Sequence, residues 1–491
     1  MIVNRETAAP SPPEFTNGKP RCGLDRRGFL RAVGATAGSV LFSPLQKRLG
    51  TGLASVGATN SRPHVILILV DALRADHTSA NGYHRTTTPN LDDRLLNHGV
   101  SFTRARTPSP WTGPANMAIM TGYYPYHLNA TWDHTVLPAT IPTLAEMLHE
   151  AGYFGAGFVS NAFLSQSRGF SRGFDVYDDA LAFNPTSFQG VAAALNGRVF
   201  SWLASGPPEP APLFLFVYYV DPHTWYHPVP PFNTLYDETY TGNLHPEVYR
   251  DGQDVVADVI SPSERDVEHL IALYDGETAY WDYYLGELLA ELENQQLLDN
   301  SLVVVTADHG QAFGEHGRWT HGNGLYEEVL RVPLLVRYPG LITPGQTIDD
   351  PVLNMDLMPT ILDFAGVQTP PGLHATSLRP ILQQATPVLY RDSYAEIDGV
   401  RNPGHWAFWN APRGDLCCIV RDDWKLIHHL DQPEADELYS LSPSPLYERV
   451  NQIATLPQLA AELRDALFER FHLPRHKCYL PYLSASREME R

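Results

Sequence analysis

The sequence predicts an α/β protein, a sandwich around a mainly parallel central sheet with a smaller C-terminal α+β subdomain. Three observations predict it. Near-continuous apolar runs alternate with helical periodicities over most of the chain, the pattern of strands buried on both faces between helices. From about Ala395 the texture changes to shorter strand-like pieces. A chain of 491 residues, 43% of them hydrophobic, can bury one large core and a second, smaller one.

In order along the chain, His64 to Val70 is an apolar run ended by Asp71, which reads as a buried parallel strand delivering a carboxylate at its C-terminal end. Leu91 to Gly99 and Ile141 to Gly152 read as helices, with apolar residues three and four apart and a glycine stop. Phe154 to Val159 and Leu213 to Val220 read as further strands, the second ending in Asp221-Pro222-His223. Arg265 to Gln296 is a long amphipathic helix, and Ser301 to Thr306 a strand ending in Ala307-Asp308-His309-Gly310. Leu416 to Val420 and Trp424 to His429 supply the later strands, and Pro457 to Phe471 a last helix. Proline, glycine and acidic residues mark 205–212 and 226–265 as surface loops near the site. No internal repeat is found.

The first 58 residues read as an address. Asp25-Arg26-Arg27-Gly28-Phe29-Leu30-Arg31 precedes a small-residue apolar run, Ala32 to Leu45, and then Val56-Gly57-Ala58. That order resembles a twin-arginine export signal. The run is too short and too glycine-rich for a membrane span, so an extracellular or cell-envelope protein without a membrane span after processing is expected. The expected division is therefore 1–58 signal and linker, 59–394 catalytic domain and 395–491 smaller subdomain.

The formal charge is −20, and no basic stripe runs through the body of the chain, which argues against nucleic acid as a partner. Four lysines stand against thirty-one arginines. The cysteines, Cys22, Cys417, Cys418 and Cys478, have no metal-ligand spacing and support no disulfide framework. Oligomeric state is not legible.

Taken singly, the polar clusters have ordinary explanations as caps, solvated pairs and turns. Together they suggest chemistry. Asp71, Asp308 and His309 all follow predicted strand ends, where a divalent cation could gather two carboxylates and an imidazole. Zinc, manganese, magnesium and calcium all suit such donors, with His309 tilting away from an all-oxygen calcium site. Thr112 lies in the loop Pro108-Ser109-Pro110-Trp111-Thr112-Gly113-Pro114, before a helix expected to begin near Ala115 or Asn116. A hydroxyl at a helix N-terminus beside a cation is a plausible nucleophile toward phosphorus or sulfur. His321 and His223 could contact non-bridging substrate oxygens, protonate a leaving group or hold a second cation. Asn116, Asn161 and Asp221 are candidate substrate contacts. Trp132-Asp133-His134, Trp225-Tyr226-His227 and Tyr394 could line a pocket or simply pack.

From His64 to about Asn451 the sequence resembles the sulfatase family within the alkaline-phosphatase superfamily, through ordered motifs. These are Val70-Asp71-Ala72-Leu73-Arg74-Ala75-Asp76, Thr88-Pro89-Asn90-Leu91-Asp92, Thr121-Gly122-Tyr123-Tyr124-Pro125, Tyr274-Asp275-Gly276-Glu277 and Ala307-Asp308-His309-Gly310. Later come Glu315-His316-Gly317, Leu325-Tyr326-Glu327-Glu328, Arg331-Val332-Pro333 and Asp356-Leu357-Met358-Pro359-Thr360. The resemblance implies an alkaline-phosphatase/sulfatase-like sandwich, a metal site on Asp71, Asp308, His309 and Thr112, and Thr112 as nucleophile, nine residues before Thr121. Sulfatases carry a cysteine or serine there, in a Cys-x-Pro-x-Arg context, and convert it to formylglycine. Here the run is Thr112-Gly113-Pro114-Ala115-Asn116, and threonine cannot yield that aldehyde.

Other departures agree. Ala72 replaces the second aspartate of the metal pair, Phe158-Val159-Ser160-Asn161 replaces a Gly-Lys-Trp-His type motif, and His321 stands at the substrate-binding lysine position. Relatives with an unmodified threonine or serine act on phosphate esters. The pattern is similar to the phosphoethanolamine-transferase branch, which is typically membrane-anchored. The expectation is an exported hydrolase of phosphoric or sulfuric esters favouring phosphoesters. Its substrate would be a small molecule or a glycan or lipid ester. The alternatives are a sulfatase working without formylglycine and a transferase passing the group to an envelope alcohol.

Overall fold

The computed structural model describes residues 62–183, 189–206, 211–242, 262–383, 391–400, 412, 414–442 and 448–471. The export signal expected at 1–58 lies outside them, as do parts of the loops expected at 205–212 and 226–265. From Asn60 onward the chain is one compact unit.

An eight-stranded sheet forms its centre. From one edge the order is Gln346–Ile348, Val100–Phe102, Leu334–Arg337, Ser301–Ala307, His64–Val70, Leu213–Tyr219, Phe154–Val159 and Val176–Asp178. Leu334–Arg337 is antiparallel to both neighbours, and every other pairing is parallel. The mainly parallel sheet is thus as expected. Its middle strands are buried along nearly their whole length because helices cover both faces, which is why they read as unbroken apolar runs.

Register decides what these strands carry. Val70 pairs with Ala307, so the residues that follow, Asp71 and Asp308, leave the sheet side by side. Alternation then sends Tyr218 and Tyr219 of the neighbouring strand to opposite faces. The Tyr218 hydroxyl donates to Asp308, while the Tyr219 hydroxyl reaches Asn196 on the helix Val191–Ala204.

Several elements differ from expectation in extent. The segment read as a helix over 91–99 is a short helical turn, Pro89–Leu91, continuing into a π-helical turn, Asp92–Leu96, because the chain must reach the strand beginning at Val100. The helix after Pro142 starts at Leu144, where Thr143 and Glu146 close a reciprocal capping box. The long helix is Glu264–Asn294, opened by a second capping box between Ser263 and Asp266. The helix expected to begin near Ala115 or Asn116 begins at Thr112 itself and runs to Thr121. Gly113 and Pro114 sit in its first turn, where a proline costs no hydrogen bond.

The C-terminal sheet is antiparallel, with Ser393–Ile397, Leu416–Arg421, Trp424–His429 and Glu437–Ser440 in sequential order. The boundary expected at 394/395 falls inside its first strand. The helix Pro457–Phe471 packs Leu463, Leu467 and Phe471 into a core shared with this sheet and with Tyr124. Tyr394 belongs to that core, edge-on to Phe471 at 5.7 Å, and serves packing. Beneath the seam lies a buried ion network. Lys425 Nζ meets Glu327 at 3.1 Å and Glu448 at 2.9 Å, and Arg106 Nε donates to both Glu327 oxygens. Cys417 and Cys418 are buried side by side in the strand Leu416–Arg421.

His316 shows how charge ties the seam together. Its Nδ1 lies 2.8 Å from Glu328 Oε1 and its Nε2 2.8 Å from the Glu448 carbonyl, so the ring must be doubly protonated to donate to both. Burial works against that charge, but Glu328 and the Glu448 carbonyl outweigh it and raise the imidazole to about 9. A histidine raised in the folded state stabilises fully below its unfolded value of about 6.5. That stabilisation is lost as pH climbs through 9. We expect the unfolding free energy to fall by about 2 kcal/mol across this window, allowing for solvent screening. Denaturant titrations from pH 6 to 10 check this, and Glu328→Gln should flatten the slope.

Candidate active site

The carboxyl ends of the central strands deliver Asp71, Asp308 and His309, all fully buried. One ligand atom from each lies within 4.8 Å of the others, the one such three-residue group among the described residues. No second set gathers around His223 or His321, so a second cation there is not supported by the described residues.

Asp308 is tightly held. Its Oδ2 accepts from Tyr218 Oη at 2.7 Å and Asn116 Nδ2 at 2.9 Å, and its Oδ1 from the N–H of His309 at 2.8 Å and of Ala72 at 3.3 Å. Asp71 is held on one side only, with Oδ2 accepting from Asn161 Nδ2 at 2.6 Å and Oδ1 buried with no hydrogen-bond donor. Burial, and then the nearby Asp308 charge, push the Asp71 carboxyl well above its ordinary range. His309 Nδ1 donates to the Gly310 carbonyl at 2.9 Å, which turns Nε2 as a lone pair toward Asp71 Oδ1 at 3.5 Å and Asp308 Oδ2 at 3.6 Å. Three electron-rich atoms aimed at one dry point repel one another unless a cation lies between them. The donor set therefore fits a divalent metal, and the orphaned Asp71 oxygen is the observation that shows it.

Thr112 supplies the neighbouring hydroxyl. Its Oγ1 lies 3.3 Å from His309 Nε2, and as the first residue of a ten-residue helix it stands beside backbone N–H groups that have no intrahelical partner. Trp111, the residue before it, stacks flat on Trp132 with ring centroids 4.0 Å apart and the planes at 7°. Both rings are buried, and Trp132 is tied to Asp398 through its backbone and indole N–H groups. They form a wall of stacked rings behind Thr112.

The other sequence candidates separate into groups. Asn116 bonds the Thr112 carbonyl and Asp308, and Asn161 bonds Asp71, so both asparagines orient site carboxylates in this structure. His321 and His223 extend from His309 as a run of rings, with centroids 4.4 Å and then 4.8 Å apart. Burial lowers the proton affinity of both, and for His321 the neighbouring His309 and His223 lower it further. Among the described residues no hydrogen bond links Asp221 to this cluster. Its carboxyl meets Glu277 of the long helix instead. Tyr226 packs edge-on against Tyr274 and Phe313, and its hydroxyl accepts from Gln311.

Four residues of the site were not singled out from sequence. Tyr218 looks like a core residue in an apolar strand. Gln311 accepts from His321 Nδ1 at 2.7 Å and fixes its tautomer. Asn354 donates to the Ala307 and Asp308 carbonyls. Tyr274 Oη donates to the Ala72 carbonyl and accepts from the Arg74 N–H, both at 2.8 Å. Those bonds hold Ala72 in the left-handed region at φ +57°, a conformation that costs about 1–2 kcal/mol and turns its N–H onto Asp308. A signal was available for Tyr274, which lies in a quoted motif, but none for the other three.

The sulfatase family model matches residues 63–367, and a model of the N-sulphoglucosamine sulphohydrolase C-terminal region matches residues 314–472. The chain belongs to the sulfatase family. It is thus an ester hydrolase of the alkaline-phosphatase superfamily, whose members are typically metal-dependent. The chain is 24% identical over 469 residues to the N-acetylglucosamine-6-O-sulfatase of Bacteroides thetaiotaomicron, covering 78% of this chain and 81% of that one. It is 27% identical over 442 residues to the choline-sulfatase of Rhizobium meliloti, covering 79% and 82%. In fold it is similar to the phosphonate monoester hydrolase of Agrobacterium radiobacter, with a TM-score of 0.69 at 21% identity over 85% of this chain and 97% of the other. Among the described residues no helix is long and apolar enough to cross a membrane.

Proposed function

We propose that this sulfatase-family hydrolase is an exported enzyme that cleaves phosphoesters through a covalent intermediate on Thr112. The carrying observation is the Thr112 hydroxyl, 3.3 Å from His309 at the start of the helix Thr112–Thr121, in a residue that cannot become formylglycine. The likeness in fold to a phosphonate monoester hydrolase agrees with phosphorus as the electrophile, while the sulfatase names among the relatives keep sulfuric esters as the competing class.

Asp71, Asp308 and His309 would hold a divalent cation with Thr112 beside it, and such a cation supplies charge stabilisation for the ester and acidity for the hydroxyl. Thr112 Oγ forms a bond to phosphorus, the bond from phosphorus to the leaving oxygen breaks, and the proton lost by threonine ends on the departing alcohol. Water then releases phosphate and restores the hydroxyl. His321 and His223 are the groups suited to relay that proton, because burial leaves them neutral and an arriving anionic substrate raises their affinity for it. The N–H groups of Thr112 and Gly113, which have no intrahelical acceptor, receive the non-bridging oxygens.

Comparing kcat/KM on an aryl sulfate, a phosphate monoester, a phosphate diester and a phosphonate monoester tests the assignment. A phosphorus ester should lead the sulfate by at least about tenfold, roughly 1.4 kcal/mol of differential transition-state binding. A faster sulfate would overturn the phosphoester preference.

A further inference from the structure

Glu277 sits mid-way along the helix Glu264–Asn294 and is buried. One of its oxygens accepts the backbone N–H of His227 at 3.0 Å. The other is buried without a donor, as are both oxygens of the Asp221 carboxyl beside it. One side chain thus grips both ends of the segment 221–227. Between those ends lie His223, whose ring approaches His321, and Thr224 and Tyr226, whose hydroxyls accept from Gln311. Gln311 in turn holds His321.

We propose that Glu277, donating a proton to Asp221 and accepting from His227, is a positioning residue that clamps this segment and sets His223 against His321. The inference rests on the reading that these histidines serve the reaction.

Physical chemistry requires the shared proton. Two carboxyls in contact in a dry site cannot both be charged without a cation. Among the described residues no ion pair within 4 Å reaches either group, and Asp221 faces Glu277, the phenols of Tyr219 and Tyr280, and the first N–H groups of the helix Val191–Ala204. The ring of His223 lies two residues along the chain, and that of His227 next to the gripped amide. The positive helix end favours charge on Asp221, so the proton belongs on Glu277. Burial pushes Asp221 up to about 7, and burial followed by the Asp221 charge pushes Glu277 well above its ordinary value. Loss of the shared proton at alkaline pH would set two carboxylates against each other and loosen the clamp.

Glu277→Gln, Glu277→Ala, His223→Ala and the Glu277→Ala/His223→Ala double variant of the full chain test this on whichever ester turns over fastest. A glutamine donates to Asp221 and accepts from His227 at every pH. It should keep kcat within threefold at pH 6 and hold activity further into alkaline pH than the wild type. Glu277→Ala, in protein with native circular dichroism, should lower kcat at least tenfold while KM moves less than threefold. The double variant should fall no further than His223→Ala alone. Folded Glu277→Ala with kcat within twofold of wild type overturns the proposal. So does a double variant whose losses multiply, an alkaline limb unchanged in Glu277→Gln, or a fully active His223→Ala. A preference for sulfate would overturn the phosphoester reading and leave this test standing.

Discussion

Thr112→Ala should lower kcat by about 10³-fold or more and leave a folded protein that still binds a divalent cation. The size of the effect follows from what is removed. Asp71, Asp308 and His309 remain to hold the cation, and the hydrogen bonds that fix them come from Tyr218, Asn116, Asn161 and backbone N–H groups, none of which depends on the threonine hydroxyl. Only the atom proposed to bond to the substrate is lost. Thr112→Ser restores that atom without the methyl group and should recover activity to within about tenfold. Intact-mass measurement on acid-quenched enzyme should show a phosphoryl adduct that maps to the peptide containing Thr112, and none in the alanine variant. An unimpaired Thr112→Ala enzyme would sink the proposed chemistry.

The second large effect belongs to stability. Lys425 is fully buried, 0% exposed, between Glu327 and Glu448, with Arg106 on the far side of Glu327. Lys425→Met keeps the length and apolar stem of the side chain but leaves two buried carboxyls with one guanidinium, that of Arg106 on Glu327, to balance them. Removing one partner of a buried ion pair costs about 3–5 kcal/mol, because the remaining charge stays desolvated. Denaturant unfolding should show a loss of that order. Lys425→Met with Glu448→Gln should recover part of it, since burial already lifts Glu448 to about 7 and a neutral group there is tolerated. A single variant within 1 kcal/mol of wild type would contradict the assignment.

These two residues mark what the sequence made legible. The buried group of Asp71, Asp308 and His309 was readable because each member follows an apolar strand, and strand ends in a mainly parallel sheet gather at one place. Phe154–Val159, Trp424–His429 and Pro457–Phe471 match expectation to the residue because local pattern and tertiary burial agree there. The start of the helix at Thr112 was misplaced because Gly113-Pro114 reads locally as a turn, whereas the same pair fits a first helical turn. Tyr218 and Gln311 stayed hidden for another reason. Their roles come from partners 90 and 10 residues away, and nothing in their own neighbourhood distinguishes them from packing. Asp221 was noticed for its position after a strand, but its neighbour is Glu277, 56 residues further on in the helix Glu264–Asn294.

The burial of Lys425 has a practical consequence. Between residues 62 and 471 it is the sole lysine in the sequence. An amine-reactive reagent can modify this stretch only when the seam between the two sheets opens. Peptide mapping after timed acetylation would therefore read the opening rate of that seam from a single site, a chemical counterpart of hydrogen exchange that needs no engineered label.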